Sequence, residues 1–430
     1  MEQRLTPFGT SSLTIPARST SREYKFREGL WTSVTNSNDL PFLLAHSVVL
    51  QEETPLADCA VVSNYPTRRV CKYSIRGCER RIEIEPGVQM TLPSHIGRLL
   101  MRRGFCSPVT AAEFLASHPQ ARIIITRDGG MGDVLFTTPA IMELARRFPK
   151  AEITYRTWDD NKRLLERCPG VARVVGMSEA YDAAPYDFQA DLVWYVERHA
   201  HQHLGRIDLF GCALGVEVSD HQMHVWVGAE DLARAVEALA PATETGRRLV
   251  GVQVVNPNWR RIPSPQKMRG VAQMLWDNGM MPVLLGATPD SSWDDLGLNL
   301  CGKVDLSTFL GVVDALDALV VGDSGPLHIA NALSKPVVAL FGPVHPSVRV
   351  QDAAACHTLM MNEEIHCGPC NDHQLSRCSF PARCLDAIPD QAILAAVLEA
   401  LHGSANNPSL GPCDSRAARD AVLLLPGRDG

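Results

Sequence analysis

The sequence has 430 residues, with 41 Lys and Arg against 48 Asp and Glu, so its formal net charge is −7 at pH 7. Hydrophobic residues make up 45% and charged residues 21%, a composition typical of folded globular proteins rather than of disordered chains. The acidic balance argues against a nucleic-acid partner. No apolar run approaches the roughly 18 residues of a membrane helix, and the polar N-terminus lacks the apolar h-region of a secretory signal. We therefore expect a cytoplasmic protein with no transmembrane segment.

The pattern of hydrophobic and turn residues divides the chain into five segments. Residues 1–38 are rich in Ser, Thr and Arg, which predicts a poorly ordered start. Residues 39–117 alternate short β-type runs with turn residues, which predicts a small β-rich N-terminal accessory domain. Residues 118–242 and 243–402 each alternate strands with helices and predict two Rossmann-like, doubly wound α/β domains facing across a cleft. Residues 403–430 are predicted to form a tail.

The first α/β domain opens with a glycine-rich loop, RDGGMGD (127–133), between a predicted strand, RIIIT, and a predicted helix, VLFTTPAIMELARRF. A further strand is predicted in DLVWYV (191–196). Open α/β sheets bind ligands at the carboxyl ends of their strands, so the loop is a candidate site. Its glycines, Gly130 and Gly132 among them, would permit close backbone approach. Asp133 would lie at the helix start, either facing the cleft or acting only as an N-cap.

A second loop, GDSGPLH (322–328), follows the predicted strand ALVV and begins a helix. Backbone N–H groups at such a helix start, together with the hydroxyl of Ser324, form an anion site suited to a diphosphate. His328 could reach a phosphate or a sugar hydroxyl, or could be a packed, hydrogen-bonded core residue. The loop favours phosphate binding in the second α/β domain.

Two longer stretches that contain these loops resemble glycosyltransferase family 9, the lipopolysaccharide heptosyltransferases. GDVLFTTPAIMELARRFPKAEITY is similar to the family's opening, in which Gly-Asp-x and two hydrophobic residues precede Thr-x-Pro-Ala and a helix ending in Arg-Phe-Pro. GDSGPLHIANALSKPVVALFGPVHP is similar to its second signature, Asp-(Ser/Thr)-Gly-x-x-His-x-Ala-x-Ala-Leu and a Pro-Val-Val-Ala-Leu-Phe-Gly-Pro strand. The resemblance covers about residues 120 to 400. It implies the two-lobed GT-B fold and a donor of the ADP-heptose type.

The resemblance also implies roles for individual residues. Asp133 matches the family's proposed general base, which would take the proton from an acceptor hydroxyl. Arg260 stands where the family has a cation facing the diphosphate, with Arg261 beside it. The segment LVGVQVVNPNWRRIPSPQKM departs from the family's usual Pro-Gly turn. The remaining positions that match donor-binding residues are Asp323, Ser324, Gly325, Pro326 and His328, and the acceptor-side candidates are Gly130, Gly132 and His199.

His199 is the weakest of these candidates. It lies in the segment RHAHQH (198–203), which follows the strand predicted in DLVWYV. Its alternating histidines could ligate a metal or face an acceptor, but a solvated loop at the edge of the cleft is the favoured interpretation.

Four of the 13 cysteines lie close together in HCGPCNDHQLSRCSFPARCL, at Cys367, Cys370, Cys378 and Cys384. Four thiolates at this spacing favour one tetrahedral structural metal, Zn or Fe. Free thiols and a redox C-x-x-C pair are the alternatives. Similar clusters occur in autotransporter heptosyltransferases, which also carry an added N-terminal domain and an iron-bearing finger. No catalytic metal is expected.

The leading functional hypothesis is a glycosyltransferase that moves a heptose-like sugar from a nucleotide diphosphate sugar to an acceptor hydroxyl. The acceptor would be a glycan, a lipid-linked sugar or a protein, and the sequence leaves homo-oligomerisation open. The competing hypothesis is a non-catalytic module that binds a nucleotide or sugar and uses the cysteine finger and the N-terminal domain for protein contacts.

Overall fold

The structure is a computed structural model of the chain. It describes residues 109–179, 185–193, 205–256, 258–350, 355–361, 364–365 and 383–406, together with strand segments before residue 109. For those early strands, and for residues 259 and 403–406, the backbone alone is described. The chain divides into two compact units, one formed by Met1–Ile124 with Tyr181–Trp194 and the other by Ile125–Ala180 with Tyr195–Gly430.

The first unit is built largely from antiparallel strands. They form sheets with the orders β4-β1-β5 and β10-β6-β9 and the hairpins β2-β3 and β7-β8. Helix α1 (Ala111–Ser117) begins with a capping box, in which Thr110 and Glu113 bond each other's backbone N–H. The strands are β1 (Gln3–Pro7), β2 (Ser12–Pro16), β3 (Glu23–Arg27), β4 (Thr32–Val34), β5 (Val49–Gln51), β6 (Asp58–Ser63), β7 (Arg69–Ile75), β8 (Cys78–Ile84), β9 (Gln89–Pro93) and β10 (Cys106–Pro108). The accessory domain and its boundaries stay predictions.

A four-stranded sheet begins the α/β part of the chain. Its strands are β11 (Arg122–Thr126), β12 (Glu152–Thr157), β13 (Val171–Gly176) and β14 (Phe188–Asp191), in the order β13-β12-β11-β14. The strand predicted in DLVWYV (191–196) is found only at its first residue, because β14 ends at Asp191 and Leu192 and Val193 are helical; residues 194–196 lie outside the described residues. Two hydrogen bonds join Arg122, at the start of β11, to Asp187, just before β14. The Asp187 N–H donates to the Arg122 carbonyl, and the Arg122 N–H donates to the Asp187 carboxylate, both at 2.8 Å.

The helix predicted after β11 is two helices, α2 (Met131–Leu135) and α3 (Thr138–Arg147). The hydroxyls of Thr137 and Thr138 donate to the carbonyls of Val134 and Leu135, at 2.6 and 2.8 Å. Such side-chain bonds compete with the helical ladder. Pro139 has no N–H to continue that ladder but is well tolerated in a first helical turn, so the chain restarts as α3.

The second sheet has six parallel strands in the order β17-β16-β15-β18-β19-β20. Numbered within the sheet, this is the doubly wound order 3-2-1-4-5-6, whose switch point lies between β15 and β18. Aliphatic residues on the strands and the covering helices, such as Val250, Leu275 and Val320, are fully buried. The strands are β15 (Arg248–Gln253), β16 (Met280–Leu285), β17 (Leu298–Asn299), β18 (Ala318–Gly322), β19 (Val337–Phe341) and β20 (Cys356–Met360).

The remaining helices all lie in the second unit. They are α4 (Arg206–Leu214), α5 (Ala229–Thr243), α6 (Pro265–Asp277), α7 (Leu306–Ala315), α8 (Gly325–Ala332), α9 (Arg383–Asp386) and α10 (Asp390–Asn406), with short 3₁₀ helices at Asp159–Leu164, Trp259–Arg261, Ser291–Trp293 and Pro346–Val348. The expected α/β fold with parallel sheets is confirmed. Among the residues described, none of the helices has the length and apolar character needed to span a bilayer.

Candidate active site

The two loops singled out in the sequence, about 190 residues apart, lie against each other within the second unit. We call them the Asp133 loop (residues 127–133) and the Asp323 loop (residues 322–328). A Cβ atom at Gly132 would lie 2.3 Å from Cδ2 of His328, and a Cβ atom at Gly325 would lie 2.2 Å from Cε of Met131. A larger residue at Gly132 would clash with the His328 ring, and one at Gly325 would displace the end of the Met131 side chain. The sequence predicted that glycines allow close approach to the backbone of the Asp133 loop. At Gly132 this holds, and the group that approaches is the side chain of His328.

Asp133 lies in the first turn of α2, and both of its carboxylate oxygens accept a hydrogen bond. Nη2 of Arg127 donates to Oδ1 at 2.8 Å, and the N–H of Gly130 donates to Oδ2 at 3.1 Å. Burial alone would raise the pKa of this carboxyl, but the charge and hydrogen bond of Arg127, together with the charges of Arg349 and Arg206, hold the pKa below its usual value. Asp133 therefore caps the helix start and is also an ionised, partly exposed carboxylate.

Arg127, which the sequence reasoning did not single out, is the buried partner of that carboxylate. Its side chain is 4% exposed, and its guanidinium lies 5.5 Å from the ring centroid of Phe210. A buried guanidinium beside an aromatic ring and a carboxylate is held rigidly. The signal in the sequence was an arginine directly after a buried β-branched strand.

Asp323 is the second residue of the Asp323 loop, and its side chain is 5% exposed. Its Oδ2 is 3.6 Å from Nε of Arg349 and 3.8 Å from Nη1 of Arg261, and its Oδ1 is 3.8 Å from Nε2 of His328. Neither oxygen accepts a hydrogen bond from the residues that the structure describes. Buried carboxylates normally have such bonds, so these oxygens are suited to accepting them from a ligand.

His328 packs in the first turns of α8, at the end of the same loop. Burial lowers its pKa to about 4, against an opposing effect of the Asp323 charge, so the imidazole is neutral at pH 7. Its ring meets the ring of Phe136 edge to face, with centroids 4.7 Å apart. His328 is therefore packed, as one of the two alternatives for it supposed. It also contacts the Asp133 loop at Gly132, so it is part of the candidate site.

Ser324 is tied to the switch point of the second sheet by a residue that the sequence reasoning missed. Gln253, the last residue of β15, accepts through Oε1 from the hydroxyl of Ser324 at 2.8 Å and from the N–H of Gly322 at 3.2 Å. The Ser324 proton is thus engaged by protein, which leaves its oxygen available as an acceptor. A buried polar residue inside the hydrophobic run LVGVQVV was the available signal.

The two predicted diphosphate cations sit on the 3₁₀ helix Trp259–Arg261, whose start is capped by Asn258. A Cβ atom at Gly322 would lie 1.9 Å from the carbonyl oxygen of Arg261, so this helix packs directly on the Asp323 loop. Pro326 follows Gly325 in the first turn of α8. The backbone of the predicted donor-side residues therefore lies together around the Asp323 loop, and their role in binding a donor stays a prediction.

Several predicted residues are not part of this cluster. His199, Cys367, Cys370 and Cys378 lie outside the described residues. Cys384 is described on α9, where it is half-buried and its Sγ lies 2.5 Å from the place of a Cβ at Gly342. Within the described ranges, no group of three or more His, Cys, Asp or Glu residues is arranged to hold a metal.

A separate cavity of about 560 Å³ is lined by residues of α3 and of the segment 218–224. None of its lining residues belongs to the Asp133 loop or the Asp323 loop. The candidate site is therefore defined by the paired loops and their charges rather than by this cavity.

Comparison with known proteins agrees with the two motifs. The model of the family described as glycosyltransferase family 9 (heptosyltransferase) matches residues 270–378. Lipopolysaccharide heptosyltransferase 2 of Escherichia coli K12 is 34% identical over 88 residues, which are 18% of this chain and 25% of that protein. Lipooligosaccharide heptosyltransferase 2 of Haemophilus ducreyi is 24% identical over 297 residues, which are 53% of this chain and 84% of that protein. The resemblance to glycosyltransferase family 9 is confirmed.

Solved structures support the fold. A glycosyltransferase family 9 protein of Veillonella parvula matches with a TM-score of 0.54 and 17% identity, over 66% of this chain and 98% of that one. The iron-containing dodecameric heptosyltransferase TibC of enterotoxigenic E. coli, in complex with ADP-D-beta-D-heptose, matches with a TM-score of 0.52 and 12% identity, over 70% of this chain and 81% of that one. The match to the E. coli K12 enzyme spans about a quarter of the length of that enzyme.

Proposed function

We propose that this protein is a glycosyltransferase of the GT-B type, which moves a heptose-like sugar from a nucleotide diphosphate sugar to an acceptor hydroxyl. The observation that carries the proposal is the meeting of the Asp133 and Asp323 loops, each at the carboxyl end of a strand, with an ionised carboxylate on one and an arginine cluster on the other. The matched relatives are heptosyltransferases, and TibC, which shares the fold, is solved in complex with ADP-D-beta-D-heptose, so ADP-heptose is the proposed type of donor.

Asp133 is the proposed general base. As the acceptor oxygen attacks the anomeric carbon, Asp133 takes the hydroxyl proton, and the bond between that carbon and the diphosphate oxygen breaks. The nucleoside diphosphate leaves with the bonding electron pair. Arg127 keeps the base ionised and oriented at neutral pH, because it both bonds and electrostatically stabilises the carboxylate.

Arg260 and Arg261 are proposed to bind the diphosphate. Guanidinium groups bind phosphate oxygens through two parallel N–H groups, and their charge offsets the charge that the leaving diphosphate gains. Both residues lie on a 3₁₀ helix packed on Gly322, so their backbone position is fixed before a donor binds. The open helix start at Ser324 and Gly325 adds backbone dipoles that favour an anion.

Asp323 is proposed to bind the donor sugar. Its two buried oxygens accept no hydrogen bond from the described residues, and sugar hydroxyls are the donors that would satisfy them. Ser324 gives its proton to Gln253, so its oxygen would also accept from a sugar hydroxyl. A donor with hydroxyl groups on this side therefore suits the site better than a second phosphate group would.

Four further predictions remain part of the proposal. They are acceptor binding by Gly130, Gly132 and His199, a metal held by the four clustered cysteines, the accessory domain and the cytoplasmic location. Gly132 packs against His328, and Gly130 gives its N–H to Asp133, so we expect these glycines to shape the acceptor side without contacting the acceptor through side chains. The dodecameric state of TibC suggests that the oligomeric state of this chain be measured.

A mass-spectrometric screen of the purified full chain against ADP-heptose and several other ADP-, UDP- and GDP-sugars tests the proposal. With a heptose-containing glycan as acceptor, we expect release of a nucleoside diphosphate and a product heavier by one sugar. Binding of a nucleotide sugar with no turnover on any acceptor would favour the non-catalytic module. Absence of binding to every nucleotide sugar would contradict both.

A further inference from the structure

Trp158 is an exposed tryptophan at the carboxyl end of β12. It directly follows that strand and is the N-cap residue of the 3₁₀ helix Asp159–Leu164, and it is 40% exposed. Within the part of the chain that the structure describes, no ring or cation stacks on its indole. The other tryptophans with described side chains each have such a partner, His224 beside Trp226, Arg247 over Trp276 and Arg269 over Trp293. The indole of Trp158 is therefore open to a ligand.

Hydrogen bonds tie the chain on both sides of Trp158 to the Asp133 loop. Two residues before Trp158, the carbonyl of Arg156 accepts the N–H of Arg127 at 3.0 Å. Three residues after it, Nδ2 of Asn161 donates to the carbonyl of Gly129 at 2.9 Å. Asn161 is buried, and a buried amide requires such a partner. The backbone that bears Trp158 is therefore fixed relative to the loop.

Gly129 connects this segment to the proposed base. A Cβ atom at Gly129 would lie 2.7 Å from Oδ2 of Asp133, so the backbone that Asn161 holds lies directly against that carboxylate. The exposed indole and the partly exposed carboxylate thus belong to two segments that are bonded to each other, at the carboxyl edge where open α/β sheets bind ligands. An acceptor whose hydroxyl reaches Asp133 has the segment with Trp158 beside it.

The residues after β12 are suited to a sugar ring. A tryptophan combines a large apolar face with an N–H donor at its edge. A pyranose ring presents C–H groups on its face, which pack on such a surface, and hydroxyls around its rim, which require hydrogen-bond partners. Asp160 is exposed, and its carboxylate can accept from such hydroxyls, whereas Asp159 already accepts from the N–H and the hydroxyl of Ser178. An acyl chain would use only the indole, and an anionic peptide would be repelled by the carboxylate.

We propose that Trp158 binds a sugar ring of the acceptor by stacking, so that the acceptor is a glycan rather than a protein side chain. This assignment rests on the proposed function and names the class of its acceptor. In the competing role, Trp158 is a surface residue that contacts no part of the acceptor.

Calorimetry and steady-state kinetics with the heptose-containing glycan compare the full chain with its variants Trp158→Ala and Trp158→Phe. Removing a tryptophan that packs on a ligand corresponds to about a tenfold loss of affinity or more. We expect that loss in glycan binding and in the KM for the glycan for Trp158→Ala, a smaller loss for Trp158→Phe, and an unchanged KM for the nucleotide sugar in both. The matched control is Trp276→Ala, because Trp276 is also 40% exposed but lies on α6, outside both loops. It should bind the glycan as the parent does.

Equal affinity of the parent and of Trp158→Ala for the glycan would overturn the assignment, and so would an equal loss in Trp276→Ala. If Trp158→Ala does not fold, an unchanged affinity in Trp158→Phe is the contrary result. Transfer by the parent to an unglycosylated serine peptide, with no binding of the glycan, would also overturn it. Calorimetry measures glycan binding without turnover, so a parent that binds the glycan through Trp158 but transfers no sugar would contradict the proposed function and leave the glycan site in place.

Discussion

Nη2 of Arg127 donates to Oδ1 of Asp133 at 2.8 Å, and this bond joins a buried cation to the carboxylate that the site exposes. The other carboxylate oxygen accepts the N–H of Gly130, a partner that helix capping supplies. Helix capping and catalysis, which the sequence left as alternatives, are compatible in this geometry. Substitutions at Asp133 should therefore affect stability and turnover separately.

Asp133→Asn is the sharpest test of the base. The amide oxygen can still accept from Gly130 or Arg127, but the buried guanidinium of Arg127 loses its ionised partner, so we expect the melting temperature to fall. The amide cannot take a proton, so we expect turnover to fall by about 10² or more. Asp133→Ala should lose similar turnover and about a further 1 kcal/mol of stability, because the capping bond is lost as well. Steady-state kinetics and thermal melts check both, and an active Asp133→Asn variant would show that another group accepts the proton.

Arg127→Met should change the pH dependence of the reaction. Arg127 lowers the pKa of Asp133 and burial raises it, so removing the guanidinium should move that pKa upward. The acidic limb of kcat/KM against pH should therefore shift to higher pH, with a smaller shift in Arg127→Lys, which keeps the charge. A lower kcat with an unmoved acidic limb would mean that Arg127 acts on folding or orientation alone.

The sequence predicted the parts of the site that depend on local pattern. Asp133, Asp323 and His328 stand at fixed positions in strand-loop-helix motifs, and strand order brings the carboxyl ends of such strands to one edge. Arg349 was not predictable in this way, because its approach to Asp323 depends on the pairing of β19 with β18 and on the path of a loop. Gln253 was missed because its partner, Ser324, is 71 residues away.

Two differences from the predicted elements have physical causes. Strand β14 ends at Asp191, the first residue of the strand expected in DLVWYV, and it is joined to β11 just before its start, where Asp187 pairs with Arg122. The single helix expected after β11 is interrupted at Thr137, where side-chain hydroxyls bond helix carbonyls. The pattern of hydrophobic residues alone predicts neither a polar pair between distant residues nor side-chain hydroxyls that bond the carbonyls of a helix.

His328 should make the protein less stable in mild acid. Its pKa is about 4 in the folded chain, below the ordinary value of 6.5, so the unfolded chain binds its proton first as pH falls. The stabilisation is complete above about pH 6.5 and is lost as pH falls toward 4. Between pH 7 and pH 5 this residue should account for about 2 kcal/mol of lost unfolding free energy. Urea unfolding at the two pH values should show a smaller loss in His328→Gln, and an equal loss would contradict a neutral, buried His328.

Arg260→Ala and Ser324→Ala should differ in their effect on nucleoside diphosphates. Loss of a bond from a guanidinium to a phosphate corresponds to about a tenfold loss of affinity or more, so we expect Arg260→Ala to weaken binding clearly. Ser324→Ala should weaken it less, since the Ser324 proton is given to Gln253 and the backbone at the helix start is unchanged. Calorimetry with ADP, UDP and GDP measures both. Unchanged affinity of Arg260→Ala for every nucleotide that binds the parent would remove Arg260 from the site.

Cys370→Ser should remove one structural metal from the protein without removing a reacting group. We expect Cys367, Cys370, Cys378 and Cys384 to hold about one Zn or Fe per chain, because four thiolates fill a tetrahedral shell and leave no position for substrate. Cys384 lies on α9 against Gly342, so losing the metal should loosen the loop that follows β19. Elemental analysis measures the metal, and chelator should lower the melting temperature of the parent but not of Cys370→Ser.

Cys212→Ser is the matched control, since Cys212 is an exposed thiol outside the cluster. A metal-free parent whose melting temperature does not respond to chelator would leave free thiols or a redox C-x-x-C pair as the explanation of the cluster.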